Sequence, residues 1–223
     1  MKPQVGDVIE EKYELVQRLG EGGMGSVFEG RHCRIGRRVA LKFLHSEHSE
    51  NPEMLTRFMR EAQAAAEIGS EHIVDITDIS DSVEGAPYLV MEYLEGEDLS
   101  KALEREGRLD PLRAARLIAQ ACRGLAAAHR RGIVHRDLKP ENLFLTHRED
   151  GSEWIKLLDF GIAKFRGGKG QGEPSKITTT GVILGTPYYM SPEQVLGAKD
   201  LDHLADIYAM GVILYELISG VPP

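Results

Sequence analysis

The hydrophobic pattern of this chain changes once along its length, and that change limits the folds it can adopt. Up to about residue 91, apolar residues alternate in short runs such as YELVQRLG, GSVFEGRH and RRVALKFL, separated by glycine-rich or polar turns. Such alternation is typical of antiparallel strands. From Gly96 onward the apolar residues recur mostly at helical spacing. The pattern therefore predicts an α+β protein, with a β-rich first part and a mainly helical second part.

Three helices are indicated by their end signals and composition. One interrupts the strands, with Asn51 as N-cap and Gly69 as its stop. A second starts after the N-cap Asp110. The apolar positions that predict its buried face are Ala115, Ile118, Ala119, Cys122, Leu125 and Ala126. The third, residues 204–219, is apolar on nearly every face, which predicts a buried central helix.

Charge and composition argue against several classes of protein. A net charge of -8 disfavours a nucleic-acid binder, which would present a basic face to phosphates. No apolar run is long enough to span a bilayer, and the N-terminal residues MKPQVGDVIE lack a signal-peptide core. The two cysteines, Cys33 and Cys122, suggest a reducing compartment. We therefore expect a cytoplasmic protein, while leaving open a longer, membrane-anchored parent.

The stretch LGEGGMGSV contains a G-x-G-x-x-G motif formed by Gly20, Gly22 and Gly25. Alone, this spelling fits a tight turn without function or a dinucleotide-binding fold equally well. In the dinucleotide fold the glycines run from a strand into a helix, whereas here a β-branched and aromatic strand follows them. A glycine hairpin between strands lets backbone N–H groups approach phosphates closely. The context therefore favours a lid over a triphosphate.

Lys42 lies between apolar residues in VALKFL, so its ammonium must reach solvent or an anion. By itself, an outward-facing strand lysine explains it as well as a functional one. Glu61, on the helix that follows, is the candidate partner, although a glutamate there is usually just solvated. The pair gains weight only from the motifs further along the chain.

Three further motifs follow in order: HRDLKPEN at residues 135–142, DFG at 159–161 and SPE at 191–193. Together with the glycine hairpin and Lys42, they resemble the protein-kinase signature set. The phrases RFMREAQAAAEI and GTPYYMSPEQVLG make the resemblance closest to the bacterial eukaryotic-like (Hanks-type) serine/threonine kinases. The resemblance runs from about Tyr13 to Pro223.

This resemblance implies a bilobal kinase-like fold: an N-lobe at residues 1–91, a hinge at 92–98 and a helical C-lobe at 99–223. It implies transfer of the γ-phosphate of ATP to serine and threonine hydroxyls of protein substrates, with Mg²⁺ as the metal and Mn²⁺ as an alternative. In such kinases further helices follow the last residues of this chain, so we expect the C-lobe here to be incomplete. A catalytically weak scaffold or regulatory fragment is the alternative. Oligomeric state is not predicted.

The catalytic loop receives its roles from the same resemblance, since phosphoryl transfer needs positioning and charge neutralisation. Asp137 is expected to orient the substrate hydroxyl, and Lys139 to neutralise the transferring phosphate. Asn142 and Asp159 supply oxygen donors suited to Mg²⁺. His135 is expected to pack against its surroundings, as is the phenylalanine of the DFG motif.

For the nucleotide, the resemblance implies that Lys42 holds the α- and β-phosphates and that Glu61 holds Lys42. Val27, Ala40 and Phe144 are expected to sandwich adenine. The complete set of expected ATP-binding residues is Leu19, Gly20, Glu21, Gly22, Gly23, Met24, Gly25, Ser26, Val27, Ala40, Lys42, Met91, Glu92, Leu94, Asp98 and Phe144.

The connecting segment has its own expected contacts. Glu92 and Leu94 are predicted to present backbone groups to the edge of adenine, with Met91 at the back of the pocket. Asp98 is a weaker candidate for the ribose hydroxyls.

Specificity and regulation are predicted on the same basis. The lysine two residues after the catalytic aspartate is typical of serine/threonine kinases, and Thr186 is expected to shape the wall where the target residue enters. Arg136 beside the catalytic aspartate favours an added anion, which phosphothreonine provides. A polar loop without modification is the simpler explanation of the threonines before Thr186. With Arg136 present we favour phosphorylation, at Thr178 or Thr180.

Two carboxylates complete the predictions. Asp206 lies in the apolar helix and is expected to accept hydrogen bonds from backbone N–H groups near His135 and Arg136. Glu193 of the SPE motif is expected to be largely buried and to lack its usual arginine partner. We also expect the last helix to expose Tyr208, Val212, Tyr215 or their neighbours.

Overall fold

The computed structural model describes residues 3–22, 25–45, 52–80, 87–160, 187–198 and 200–223. In the helix at 52–68 it leaves out the side chains of residues 52–54, 57, 60, 61 and 64. The chain divides into two compact units. The first comprises Met1–Gly69 and Val74–Glu95, and the second comprises Ser70–Ile73 and Gly96–Pro223.

The first unit is built on an antiparallel six-stranded sheet in the order β1-β2-β3-β4-β6-β5. Its strands are β1 (Val8–Ile9), β2 (Tyr13–Glu21), β3 (Gly25–His32), β4 (Arg38–Leu44), β5 (Ile76–Ser80) and β6 (Tyr88–Glu92). Alternate residues of these strands form one core cluster, which includes Leu15, Leu41 and Val90. The predicted strands of this part are therefore confirmed.

One helix, α1 (Pro52–Ile68), accompanies this sheet. Phe58 and Ala62 of α1 form a second core cluster with Leu44 and Leu89 of the sheet. Leu89 lies directly opposite Lys42 in the β4–β6 register, so the two side chains share a face of the sheet. The helix therefore packs on the face that carries Lys42.

The second unit is mainly helical, with a three-stranded sheet in the order β7-β8-β9. Its strands are β7 (Glu97–Asp98), β8 (Leu143–His147) and β9 (Glu153–Leu157), and its helices are α2 (Leu99–Glu106), α3 (Pro111–His129), α4 (Pro192–Val195) and α5 (Leu204–Ser219). Short 3-10 turns cover Pro140–Asn142 and Pro187–Tyr189. The segment Ser70–Ile73 joins this unit through a bridge from Ile73 to Leu157.

Helix α3 begins where the sequence predicts, because the Asp110 side chain accepts from the N–H groups of Leu112 and Arg113, both at 3.0 Å. Its predicted buried face is wrong in part, since Ala115, Ala119 and Ala126 are exposed and Cys122 is half-buried. The buried residues are Ala114, Leu117, Ile118, Ala121, Gly124, Leu125 and Ala128. Alanines lie all around this helix, so spacing alone does not distinguish one helical face from its neighbour.

Helix α5 is apolar but only partly buried among the described residues. Met210, Ile213 and Val212 are buried, whereas Tyr208 and Tyr215 are 44% and 51% exposed. The expectation of exposure is thus right for the two tyrosines and wrong for Val212, and the helix is less buried than its composition suggests. Glu193, expected to be largely buried, is half-buried. No helix in the described part of the chain is long and apolar enough to cross a membrane.

Candidate active site

The loop that carries HRD is held in place by side chains rather than by a helix or a sheet. Arg136 adopts a positive φ of 64°, which non-glycine residues rarely occupy. The N–H groups of His135 and Arg136 each donate to the Asp206 carboxylate at 2.8 Å. The Asn142 side chain donates to the Asp137 carbonyl at 2.7 Å. These bonds fix the main chain on both sides of Asp137.

Asp206 organises this loop from helix α5, where it is only 1% exposed. Its two bonds to the loop backbone confirm the structural role predicted from the sequence. The carboxylate has a third partner that the sequence analysis missed: His129 Nε2, at 2.7 Å, in the last turn of α3. The sequence did offer one signal for this contact, since a histidine stands six residues before HRD at the end of a predicted helix.

His135 is fully buried and acts as an internal brace. The Asp137 N–H donates to His135 Nδ1 at 3.3 Å, so the ring is neutral there, and its Nε2 can donate to the Leu158 carbonyl at 2.9 Å. Burial lowers the pKa of His135, which favours this neutral form. The ring also lies 4.7 Å from the Phe160 ring, centroid to centroid, and Phe160 is buried. The predicted packing of His135 against its surroundings is confirmed.

Asp137 and Lys139 line a cavity of about 150 Å³ within the second unit. Glu141, Tyr189 and Gln194 also line it. The Tyr189 hydroxyl donates to Glu216 at 2.7 Å, which fixes this side of the cavity. Asp137 and Lys139 therefore border one space that is large enough for a small group of a substrate.

The predicted metal ligands are in adjoining segments. The Leu158 N–H donates to the Asn142 carbonyl at 2.9 Å, and Asp159 follows directly, with a φ of 44°. Because Asn142 Nδ2 is bonded to Asp137, its Oδ1 is the remaining polar atom of that side chain. In the described part of the chain, no group of three or more His, Cys, Asp or Glu residues could hold a metal. Amide and carboxylate oxygens are the kind of ligand that suits a hard cation such as Mg²⁺, so the donor chemistry of Asn142 and Asp159 is compatible with the predicted metal.

The glycine hairpin in the first unit joins β2 to β3, as predicted from the strand that follows it. Gly22 N–H donates to the Gly25 carbonyl at 2.9 Å. A Cβ added at Gly25 would lie 1.9 Å from the Phe43 carbonyl oxygen, whereas one added at Gly20 or Gly22 would meet nothing within 4 Å. Gly25 is therefore required by sheet packing, and Gly20 and Gly22 leave the backbone open to an approaching ligand.

Four predicted nucleotide residues share one face of the first unit's sheet. Val27 lies opposite Lys42, and Ala40 lies opposite Met91, while Ala40 and Lys42 are two residues apart on β4. Ala40 and Met91 are buried, and Val27 and Lys42 are half-buried. A lysine thus stands at the edge of an apolar surface, the arrangement expected for a base and its phosphates.

The remaining predicted contacts are spread over both units. Leu19 and Glu21 are exposed on β2, and Ser26 is buried. Glu92 and Leu94 are half-buried, and the Glu92 N–H donates to the Asp75 carbonyl at 2.9 Å. In the second unit, Phe144 is half-buried on β8.

Asp98 has a structural role as an N-cap, which was not predicted from the sequence. Its side chain accepts from the Lys101 N–H at 3.0 Å and thereby caps helix α2. It also pairs with Lys101 Nζ at 3.0 Å. Its assignment to the ribose hydroxyls remains a prediction.

Several predicted residues lie outside the described part of the chain. They are Gly23, Met24, the side chain of Glu61, Thr178, Thr180 and Thr186. Their roles remain predictions.

Comparisons with known proteins identify relatives over nearly the whole chain. The model of the family described as "Protein kinase domain" matches residues 13–223. Serine/threonine-protein kinase Pkn1 of Myxococcus xanthus is 47% identical over 214 residues, which cover 95% of this chain and 29% of that protein. Serine/threonine-protein kinase PknA of Mycobacterium tuberculosis is 40% identical over 227 residues. The match covers 100% of this chain and 50% of PknA. This chain therefore spans between about a quarter and a half of the curated relatives it matches.

A solved structure gives the same result for the fold. The crystal structure of the PknI kinase domain of Mycobacterium tuberculosis superposes with a TM-score of 0.74 at 29% identity, covering 99% of this chain and 79% of that domain. These findings confirm the predicted kinase fold and the resemblance to bacterial serine/threonine kinases. Taken with the braced HRD loop and the glycine hairpin, they show that the chain belongs to the protein kinase domain family, among relatives that are bacterial serine/threonine-protein kinases.

Proposed function

We propose that the protein is a kinase that transfers the γ-phosphate of ATP to serine and threonine hydroxyls of other proteins. The observation that carries the proposal is the main chain around Asp137, fixed on both sides and placed with Lys139 at one cavity. Catalysis of phosphoryl transfer depends on such positioning more than on covalent chemistry. The family membership and the names of the relatives support the same function.

In this mechanism, Asp137 accepts a hydrogen bond from the substrate hydroxyl and orients its oxygen toward the phosphorus atom. The ammonium of Lys139 offsets negative charge on the transferring group. Asn142 and Asp159 would hold the divalent metal, for which Mg²⁺ is the proposed ion and Mn²⁺ the alternative. Such a metal, when bound, supplies further neutralisation of phosphate charge. The hydroxyl proton leaves through Asp137, and ADP is the other product.

The proposed nucleotide contacts follow from the shared face of the first sheet. Lys42 would bind the α- and β-phosphates with Glu61 as its partner, and Val27, Ala40 and Met91 would provide the apolar surface for adenine. Phe144, Asp98 and the backbone groups of Glu92 and Leu94 keep the roles predicted from the resemblance. The exposed backbone at Gly20 and Gly22 supports phosphate contact at the hairpin.

We further propose that phosphorylation of Thr178 or Thr180 activates the kinase. The guanidinium of Arg136 is half-buried, and burial lowers the pKa of Arg136, so its charged form would gain from an added anion. Phosphothreonine provides that anion. ATP as substrate and the free thiols of Cys33 and Cys122 support a cytoplasmic site of action.

The function is tested by incubating the protein with γ-labelled ATP, Mg²⁺ and peptide libraries that offer serine, threonine or tyrosine. We expect label on serine and threonine, and none after Asp137→Asn. The matched control is Asp150→Asn, in the turn between β8 and β9, where the carboxylate accepts from the Ser152 N–H. Transfer by the Asp137→Asn variant at the control's rate, or label on tyrosine alone, contradicts the proposal.

A further inference from the structure

The side chain of Gln194 bridges two parts of the second unit. Gln194 is the third residue of helix α4, and its Oε1 accepts from the Ser191 N–H at 3.0 Å while Ser191 Oγ accepts from the Gln194 N–H at 3.4 Å. This reciprocal pair is a capping box. In addition, Gln194 Nε2 donates to the Arg136 carbonyl at 2.9 Å. The capping box does not require this additional bond.

The chemistry of the two bonds explains why glutamine stands here. A capping box accepts either glutamate or glutamine at this position, because only the side-chain oxygen takes part. Glutamate has no N–H to give to the Arg136 carbonyl at neutral pH, whereas glutamine has two. Only glutamine can therefore make the extra bond. The fully buried Ser191 holds the carboxamide in position for it.

The carbonyl that Gln194 binds belongs to the peptide group that leads into Asp137. The N–H of the same peptide group donates to His135 Nδ1. The residue before it, Arg136, is in the left-handed region, where nothing in its own conformational preference holds it. Two side chains, one from the loop and one from helix α4, thus fix the plane of this peptide. Gln194 and Asp137 also line the same cavity.

We propose that Gln194 is a positioning residue for phosphoryl transfer: it fixes the Arg136–Asp137 peptide and, through it, the Asp137 carboxylate. The inference rests on the proposed role of Asp137. Without the bond, the plane of this peptide is held by His135 alone, and any rotation of that plane displaces the Asp137 carboxylate. A displacement of about 1 Å at a reacting group can cost roughly a hundredfold in rate. We therefore expect a loss in kcat, with little effect on the KM for ATP.

The matched control is Gln120, which makes the same kind of double contact elsewhere in the unit. Its Nε2 donates to the Glu153 carbonyl at 3.2 Å, and its Oε1 accepts from the Ile155 N–H at 2.9 Å. Gln120 braces strand β9 and does not line the cavity with Asp137. Loss of this carboxamide removes bonds of equal type from the same unit.

The experiment compares Gln194→Glu, Gln194→Met and Gln120→Met by steady-state kinetics and thermal unfolding. We expect Gln194→Glu to retain the cap but to lower the melting temperature, because its second oxygen would face the Arg136 carbonyl as acceptor against acceptor, while its kcat falls about tenfold to a hundredfold. Gln194→Met should lose kcat similarly and also lower the melting temperature. Gln120→Met should lower the melting temperature and leave kcat within about twofold of the wild type. Equal kcat values for all three variants overturn the inference.

A second readout does not depend on activity. In ¹³C- and ¹⁵N-labelled protein, the carbonyl ¹³C shift of Arg136 and the amide ¹⁵N shift of Asp137 report on the peptide that Gln194 holds. We expect both to move in the Gln194 variants and to stay in place in Gln120→Met. Unchanged shifts in Gln194→Met overturn the inference, whether or not the wild type phosphorylates a peptide. If the wild type phosphorylates no peptide but the shifts move as expected, only the proposed function is contradicted.

Discussion

The Asp206 carboxylate gives the sharpest test of how the catalytic loop is held. Its Oδ2 accepts from the His135 N–H and from His129 Nε2, and its Oδ1 accepts from the Arg136 N–H. In Asp206→Asn one oxygen becomes an NH₂ group. The asparagine amide can be oriented in two ways. The less costly one keeps its carbonyl oxygen where it accepts from two donors, His135 N–H and His129 Nε2. Its NH₂ group then faces the Arg136 N–H, so that two donors oppose each other.

The size of the effect follows from these bonds. An unpaired buried N–H costs about 1–3 kcal/mol, and each of the two remaining bonds loses about 1 kcal/mol when its acceptor becomes neutral. Burying a neutral amide costs less desolvation free energy than burying a carboxylate, which offsets part of this loss. We expect the free energy of unfolding of the second unit to fall by about 3 kcal/mol, which corresponds to a shift of roughly 1–3 M in the urea midpoint.

Urea unfolding followed by tryptophan fluorescence measures this change directly. Trp154 is the only tryptophan in the chain and lies on β9 of the second unit. The control is Asp202→Asn, since Asp202 is exposed near the start of α5 and its side chain accepts from the backbone N–H of Leu204. Asparagine serves nearly as well as aspartate in such a position, so we expect little change. If both variants unfold at the same urea concentration, Asp206 does not hold the loop as we argue.

Three further predictions use other parts of the molecule. Gly25→Ala should destabilise the first unit by about 1–3 kcal/mol, because the new Cβ would collide with the Phe43 carbonyl, while Gly22→Ala should unfold like the wild type in circular-dichroism melts. Lys42→Met should raise the KM for ATP and lower kcat/KM without changing the melting temperature; unchanged kinetics would rule out a phosphate contact. Burial lowers the pKa of His135, so the folded state binds fewer protons than the unfolded one. Its contribution to stability is complete above the unfolded pKa of about 6.5 and should be lost as pH falls below that value. His135→Gln should flatten this decline, and exposed His147→Gln should not.

Much of the fold could be predicted from the sequence because it depends on local rules. The strands of the first unit follow from two-residue alternation, and the start of α3 follows from Asp110 and the proline after it. The HRD loop was recognised from its motif, which agrees with the family comparison. The glycine hairpin was placed between strands because the residues after it favour a strand and not a helix.

The partners of the catalytic loop were harder to foresee because they are distant in sequence. His129 meets Asp206 across 77 positions, and Gln194 meets Arg136 across 58. Asp206 was predicted because a carboxylate in an apolar helix needs donors. Nothing comparable marks Gln194, since a capping box already accounts for a glutamine at that position.

The sequence by itself determined the strands of the first unit and the capped start of α3. It also indicated which residues have the chemistry to bind phosphate and metal, and those roles remain predictions. Only the tertiary structure decided which face of α3 is buried and how much of α5 stays exposed, because both helices are apolar on more than one side. It also decided the left-handed backbone of Arg136, whose own N–H and carbonyl are bonded to Asp206 and Gln194. Local preferences act over a few residues, whereas a conformation that opposes them requires contacts that only the folded chain provides.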